Sequence, residues 1–321
     1  MFDHILVPLD GSLLAECTLP HIVAIARTSS ARVTLLHVLD QELTYGSLKI
    51  TDPFDWAIRK SEAEIYLQGI SERLTKAGLQ ISTAIIDGRA ADSIINYAHD
   101  HNVDLIALSS HGQSGLSGWN ISSVVQKVLY RAYTSLIIIP AYRQIQMDLA
   151  NFHYQKVFVG LDGSLRAEWV LAEALKLIAF HHASLLLAHV VSRQEMPYYL
   201  PVDEEVIDLL NLINERNRLY AEIYLKDLCS RLPEDLYNIK TYLLISENQI
   251  DTLRDLAEQE SADLVILSAH GGSGGYKRVY GNVAQSFIDY GTIPMLILQD
   301  LYPGIIKPSR AEIAAIERPH H

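Results

Sequence analysis

The segment Ile5-Leu-Val-Pro-Leu-Asp-Gly-Ser12 returns as Val157-Phe-Val-Gly-Leu-Asp-Gly-Ser164, and the same offset of 152 relates Leu35-Leu-His-Val38 to Leu187-Ala-His-Val190. Further along the offset becomes 159, where Asp104-Leu-Ile-Ala-Leu-Ser-Ser-His-Gly112 returns as Asp263-Leu-Val-Ile-Leu-Ser-Ala-His-Gly271. A repeat of about 150 residues is the length of a domain, not of a solenoid unit, so the chain is read as two copies of one domain. The copies occupy 1–145 and 154–300, joined through the polar stretch from Ala141 to Tyr154, and a tail over 301–321 follows, helical around Ser309 to Glu317. The change of offset puts seven extra residues in the second copy, expected as growth of a loop around Ser192 to Val202.

Within each copy strand-like and helix-like segments alternate, the pattern of a mostly parallel sheet covered on both faces. Strands are predicted near 4–9, 33–39, 81–86, 104–109 and 135–140, and again near 156–161, 184–190, 239–245, 263–268 and 294–299. Helical periodicity marks 13–28, 55–77 and 90–101. Leu136-Ile-Ile-Ile139 and Met295-Leu-Ile-Leu298 are apolar at consecutive positions, as strands buried on both faces require.

The net charge of −12, with an acid excess in both halves, argues against a nucleic-acid binder, which needs a basic stripe. Two cysteines, Cys17 and Cys229, form no disulfide framework or metal spacing and are expected to pack as small hydrophobes in a reducing compartment. Strand-like sequence begins at once, and no apolar run reaches the length of a membrane span. A soluble cytoplasmic protein without membrane contact is the expectation.

Two loops repeat in their polar residues, where a shared core does not require it. The first is Asp10-Gly-Ser12 and Asp162-Gly-Ser164. A turn with a serine helix cap accounts for its Gly and Ser, while an Asp at a strand's C-terminal end is well placed for a ligand's ribose or base. The second runs from Ser109 to Ser123 and from Ser268 to Asn282. Its glycines and small hydroxyl residues let backbone N–H groups approach a phosphate, and the next helix turns its positive end to the same anion. Neither the Walker pattern nor a dinucleotide-binding glycine fingerprint is present.

His37 and His189, set in apolar strands, are read as core histidines, whereas His111 and His270 either shape the second loop or touch the ligand. His99 with His101, and His181 with His182, lack the spacing of a zinc site. Tyr198, Tyr199, Tyr220 and Tyr224 are expected to pack or to line the enlarged loop.

These loops resemble those of the universal stress protein family, which has an Asp after strand one and Gly-x2-Gly-x9-Gly-Ser/Thr after strand four. In the first copy the pattern falls on Ser109, Gly112, Ser122 and Ser123; in the second, on Ser268, Gly271, Gly281 and Asn282. Val38 and Val190 match a further binding position at the end of strand two. The resemblance implies an α/β fold: two tandem doubly wound five-stranded parallel-sheet domains, strand order 3-2-1-4-5, packed through their final strands as an internal pseudo-dimer. Homo-oligomers are compatible with it.

The resemblance also implies a stress-response protein binding ATP, ADP or AMP, with Mg²⁺ allowed beside the phosphates, at Asp10, Val38, Ser109, Gly112, Ser122 and Ser123 and at Asp162, Val190, Ser268, Gly271, Gly281 and Asn282. Nucleotide binding would regulate association with an unidentified protein partner. The alternative is a nucleotide-free scaffold or interaction module that has lost ligand binding in one or both domains. No repeated general base supports an efficient phosphotransferase, so at most slow ATP hydrolysis is expected. Because Gly281 is retained and Lys277 and Arg278 lie nearby, the second copy is expected to bind more tightly.

Overall fold

The computed structural model describes residues 2–39, 53–113, 121–141, 149, 151–194, 204–233, 238–272 and 279–300. In the first half, strands β1 (His4–Pro8), β2 (Arg32–Leu39), β3 (Gln80–Asp87), β4 (Leu105–Ser109) and β5 (Ser135–Ile139) alternate with helices α1 (Leu13–Glu16), α2 (Leu19–Ser29), α3 (Pro53–Lys76), α4 (Ala90–Asp100) and α5 (Ser123–Arg131). The second half repeats this with β6 (Lys156–Leu161), β7 (Ser184–Ser192), β8 (Ile239–Ser246), β9 (Leu264–Ser268) and β10 (Met295–Leu298), and α6 (Leu165–Trp169), α7 (Leu171–His181), α8 (Glu204–Ser230), α9 (Gln249–Gln259) and α10 (Asn282–Tyr290).

The strands form one ten-stranded sheet, β3-β2-β1-β4-β5-β10-β9-β6-β7-β8, so each half has the order 3-2-1-4-5. Pairing is parallel within each half and antiparallel only at the seam, where Leu136, Ile137 and Ile138 face Ile297, Leu296 and Met295. The apolar final strands thus cover each other's edges, which would otherwise offer open hydrogen-bonding rows for aggregation. Alternation divides them between two cores: Ile137 and Leu296 join one face of the sheet, Leu136 and Ile297 the other, and both cores run through the two halves. Ile137 and Leu296 are fully buried, worth about 1.5–3 kcal/mol each. On one face of the sheet the buried Tyr280 hydroxyl donates to the Leu129 carbonyl of the other half at 3.0 Å, and on the other face Tyr154 Oη meets His21 Nδ1 at 2.9 Å.

Two details differ from the sequence reading. The helix expected over 13–28 is two helices, α1 and α2, with Pro20 in the first turn of the second, where its missing N–H costs nothing. The same break occurs at Val170 without a proline, so it belongs to the fold and not to one residue. Nor has the loop after β7 grown: 11 residues separate β7 from α8, against 13 between β2 and α3. The extra length lies in α8, 27 residues against 24 in α3, and in the connection from α8 to β8. The offset locates an insertion only between recognisable repeats, and the sequences of these two helices share none. The tail helix expected at Ser309 to Glu317 lies outside the described residues, as do Tyr198 and Tyr199.

Candidate functional site

Strands β1 and β4 are neighbours, Ile5 facing Leu105, so the loops that follow them meet at the point where the strand order reverses. One carboxylate ties the two loops together. Asp10 Oδ1 accepts from Ser12 N at 3.0 Å and Ser12 Oγ at 2.6 Å, while Oδ2 accepts from Gln113 N at 2.5 Å. In the second half Asp162 Oδ1 accepts from Ser164 N at 3.0 Å and Oδ2 from Gly272 N at 2.7 Å. Burial alone would raise the Asp162 pKa, but the hydrogen bonds from Ser164 and Gly272 outweigh it and hold the carboxyl below its ordinary value.

The glycines nearby have separate reasons. Gly11 and Gly163 have φ of +83° and +81°, open to glycine without strain. At Gly112 and Gly271 the reason is space: a Cβ would overlap the Oδ2 of Asp10 or Asp162. The expected Asp residues therefore act first as clasps between the loops, and glycine lets the carboxylate lie against the backbone.

Gly281 has no such requirement, since a Cβ there would meet only backbone atoms at ordinary distances of 3.5–3.6 Å. Its φ and ψ, −71° and 167°, match those of Ser122, −73° and 162°. Both residues cap helices, and both backbone N–H groups donate back into the loop, to Ser110 O and Ala269 O. Serine adds a cap: Ser122 Oγ accepts from Val125 N at 3.3 Å. Ser109 Oγ donates to His111 O at 2.7 Å, while Ser268 Oγ is buried without a hydrogen-bond partner among the described residues.

The loop histidines are buried, bonded to neighbouring side chains, and each borders a cavity in its own half. His111 Nδ1 meets Ser110 Oγ at 3.1 Å, and His270 Nδ1 meets Asp300 Oδ1 at 2.6 Å. In the strands, His189 Nδ1 bonds the Leu161 carbonyl at 2.9 Å, and burial lowers the pKa of His37 despite the nearby Leu9 carbonyl. Cys17 lies beside Ser109 with its thiol pushed up to about 11 by burial, the behaviour of an inert packed thiol.

The two halves differ in the space they enclose. Asp10, Val38, Ser109, Gly112, Ser122 and Ser123 all line one cavity of about 320 Å³. In the second half Asp162, Ser268, Gly271, Gly281 and Asn282 line a hollow of about 90 Å³. Val190 faces a different one of about 420 Å³, with Tyr220, Tyr224 and Gln249. One cause is Gly160, which stands where the first half has Pro8: Leu253 and Leu267 close over it, with Leu267 Cδ2 3.2 Å from where a Cβ would be. A second is Gln249, whose Nε2 donates to the Val190 carbonyl at 2.7 Å. Neither residue belongs to the motif, and the only sequence signal for them was the contrast with Pro8 and Ala90 at the repeat offsets. Lys277 and Arg278 lie outside the described residues. A hollow of about 930 Å³ between the halves is lined by Trp169, Arg166 and Asp300, and Asp300 in turn contacts His270 of the second loop.

The profile of the universal stress protein family matches residues 1–140 and 153–299. The chain belongs to that family. Among relatives of this universal stress protein, the universal stress protein MJ0577 of Methanocaldococcus jannaschii is 26% identical over 154 residues, 43% of this chain and 95% of its own length. Universal stress protein YxiE of Bacillus subtilis is 31% identical over 147 residues, 43% of this chain and 99% of its own. Each relative thus spans about half of the tandem chain. A universal stress protein structure from Archaeoglobus fulgidus superposes with a TM-score of 0.63 over 92% of this chain and 98% of its own, at 17% identity, a likeness of fold. Among the described residues no helix is long and apolar enough to cross a membrane.

Proposed function

We propose that this tandem universal stress protein binds ATP or a related adenine nucleotide in its first half, and that the second half serves mainly as the paired scaffold that completes the sheet. The observation that carries the reading is the single cavity of about 320 Å³ at the crevice of β1 and β4, on which the clasped loops, the start of α5 and the end of β2 converge. Its volume is at the lower end of the roughly 300–1,000 Å³ usual for small-molecule sites, whereas in the second half the hollow of about 90 Å³ at the phosphate loop is separate from that of about 420 Å³ at Val190.

The start of α5, capped by Ser122, supplies backbone donors and the positive helix end for phosphates, and Val38 borders the base end. Mg²⁺ would be held chiefly through the phosphates, since Asp10, the carboxylate that lines the cavity, is engaged in the clasp. Asp10 already accepts three hydrogen bonds within the protein, which disfavours its use as a general base. The preference for the first half reverses the ranking expected from Gly281, because the geometry there gives glycine no special part.

Calorimetry with ATP, ADP and AMP tests the proposal. Binding that Ser122→Val weakens about tenfold and Gly281→Val leaves intact is the expected result. No binding of any of the three at millimolar concentration would overturn it.

A further inference from the structure

We infer that the carboxamide of Gln249 is a built-in occupant of the base subsite in the second half, where it takes the Val190 carbonyl that an adenine amine would need. The inference rests on the nucleotide reading of the first cleft and explains why a repeated motif yields one open site.

Carbonyl directions along β2 define the subsite. Leu9 N donates to Leu36 O at 2.8 Å, toward β1, and Gly88 N donates to Leu39 O at 3.1 Å, on the side of β3. Alternate residues of a parallel strand face opposite neighbours, so the Val38 carbonyl faces the same side as that of Leu36. There β1 has already ended at Pro8, and that carbonyl opens on the crevice. Val190 holds the equivalent place on β7, two residues past Ala188.

At this position the halves diverge. Gln249 opens α9, whose cap Asn248 accepts from Asp251 N, and so has a fixed starting point beside β7. Its Nε2 donates to Val190 O at 2.7 Å. A primary amide offers the same kind of N–H donor as the exocyclic amine of adenine, so the side chain satisfies the acceptor a base would use. The residue at the equivalent position of α4 is Ala90, whose methyl has no donor and lines the open cavity. In the first half Val38 and the phosphate loop share one cavity. In the second, Val190 and Gln249 lie on one hollow, Ser268 and Gly271 on another, and Asp162 is common to both.

The test is equilibrium dialysis of ATP and ITP against the full chain and its Gln249→Ala and Ala90→Gln variants, each checked for an unchanged melting profile. The unaltered chain is expected to take up one ATP. Gln249→Ala is expected to take up a second, with about tenfold preference for ATP over ITP, whose 6-oxo group cannot donate to a carbonyl. Ala90→Gln is expected to weaken the first site about tenfold. A Gln249→Ala protein that gains no site, or gains one that treats ATP and ITP alike, overturns the inference. If the unaltered chain binds no ATP, the reading of the first cleft fails and Gln249→Ala alone decides: a single ATP-selective site supports the inference, and none overturns it.

Discussion

In the first half Asp10 clasps Gln113, and in the second Asp162 clasps Gly272 in the same geometry; yet the first cleft is one cavity of about 320 Å³, and the second is divided into hollows of about 90 and 420 Å³. The shared polar contacts are those that hold two loops in place beside the sheet. The difference comes from residues under and beside them, Pro8 against Gly160 and Ala90 against Gln249. A retained motif therefore reports a retained loop frame, and the ligand space is decided by neighbours that carry no motif.

The sharpest way to break this comparison is at the glycines beneath the clasps. Valine at either position would overlap the carboxylate and break the loop-to-loop hydrogen bond. Losing such a charge-assisted bond costs about 1.5–3 kcal/mol, so Gly112→Val is expected to weaken ATP binding roughly ten- to a hundredfold. Gly271→Val should lower stability by a similar amount while leaving nucleotide affinity unchanged. Dialysis and chemical denaturation of both variants measure this, and equal losses of affinity would place the site in both halves.

A smaller effect separates the caps. Ser122→Ala removes the acceptor for Val125 N and is expected to cost about 1 kcal/mol, whereas Gly281→Ser adds an equivalent acceptor to α10 and should stabilise by a few tenths of a kcal/mol. Urea denaturation at matched m-values reads both.

The smallest concerns acid. The folded pKa of Asp162 is lowered, so the unfolded chain binds the proton more readily. The stabilisation is complete above the ordinary carboxyl value of about 4 and is lost as pH falls below it toward the folded pKa. Part of the Asp162 carboxylate meets solvent, and screening keeps the effect small. Asp162→Asn should flatten that part of the pH profile; an unchanged acid slope would mean that the clasp adds no stability through ionisation.

Much of the architecture was legible because it rests on local signals. Consecutive apolar residues at 136–139 and 295–298 specify strands buried on both faces, and the resemblance implied their pairing, which the antiparallel register bears out. The loop residues were legible as well, since Asp-Gly-Ser and the later glycines repeat at a fixed offset. The break between α1 and α2 was not, because apolar periodicity continues across Thr18. Nor was the site of the insertion, which fell between stretches without detectable repetition.

The sequence by itself determined that there are two copies of an α/β unit and where their strands lie, whereas the strand order that brings particular loops to each switch point was implied by the resemblance. Periodicity and repetition are properties of the chain taken in order. Tertiary structure alone decided that Asp10 and Asp162 are spent on joining loops, that Gly112 and Gly271 are needed for space and Gly281 is not, and that one cleft is open and the other divided. Each of these depends on which atoms from distant positions come within contact distance, as when Gln249 reaches the carbonyl of Val190, and no spacing along the chain encodes that distance.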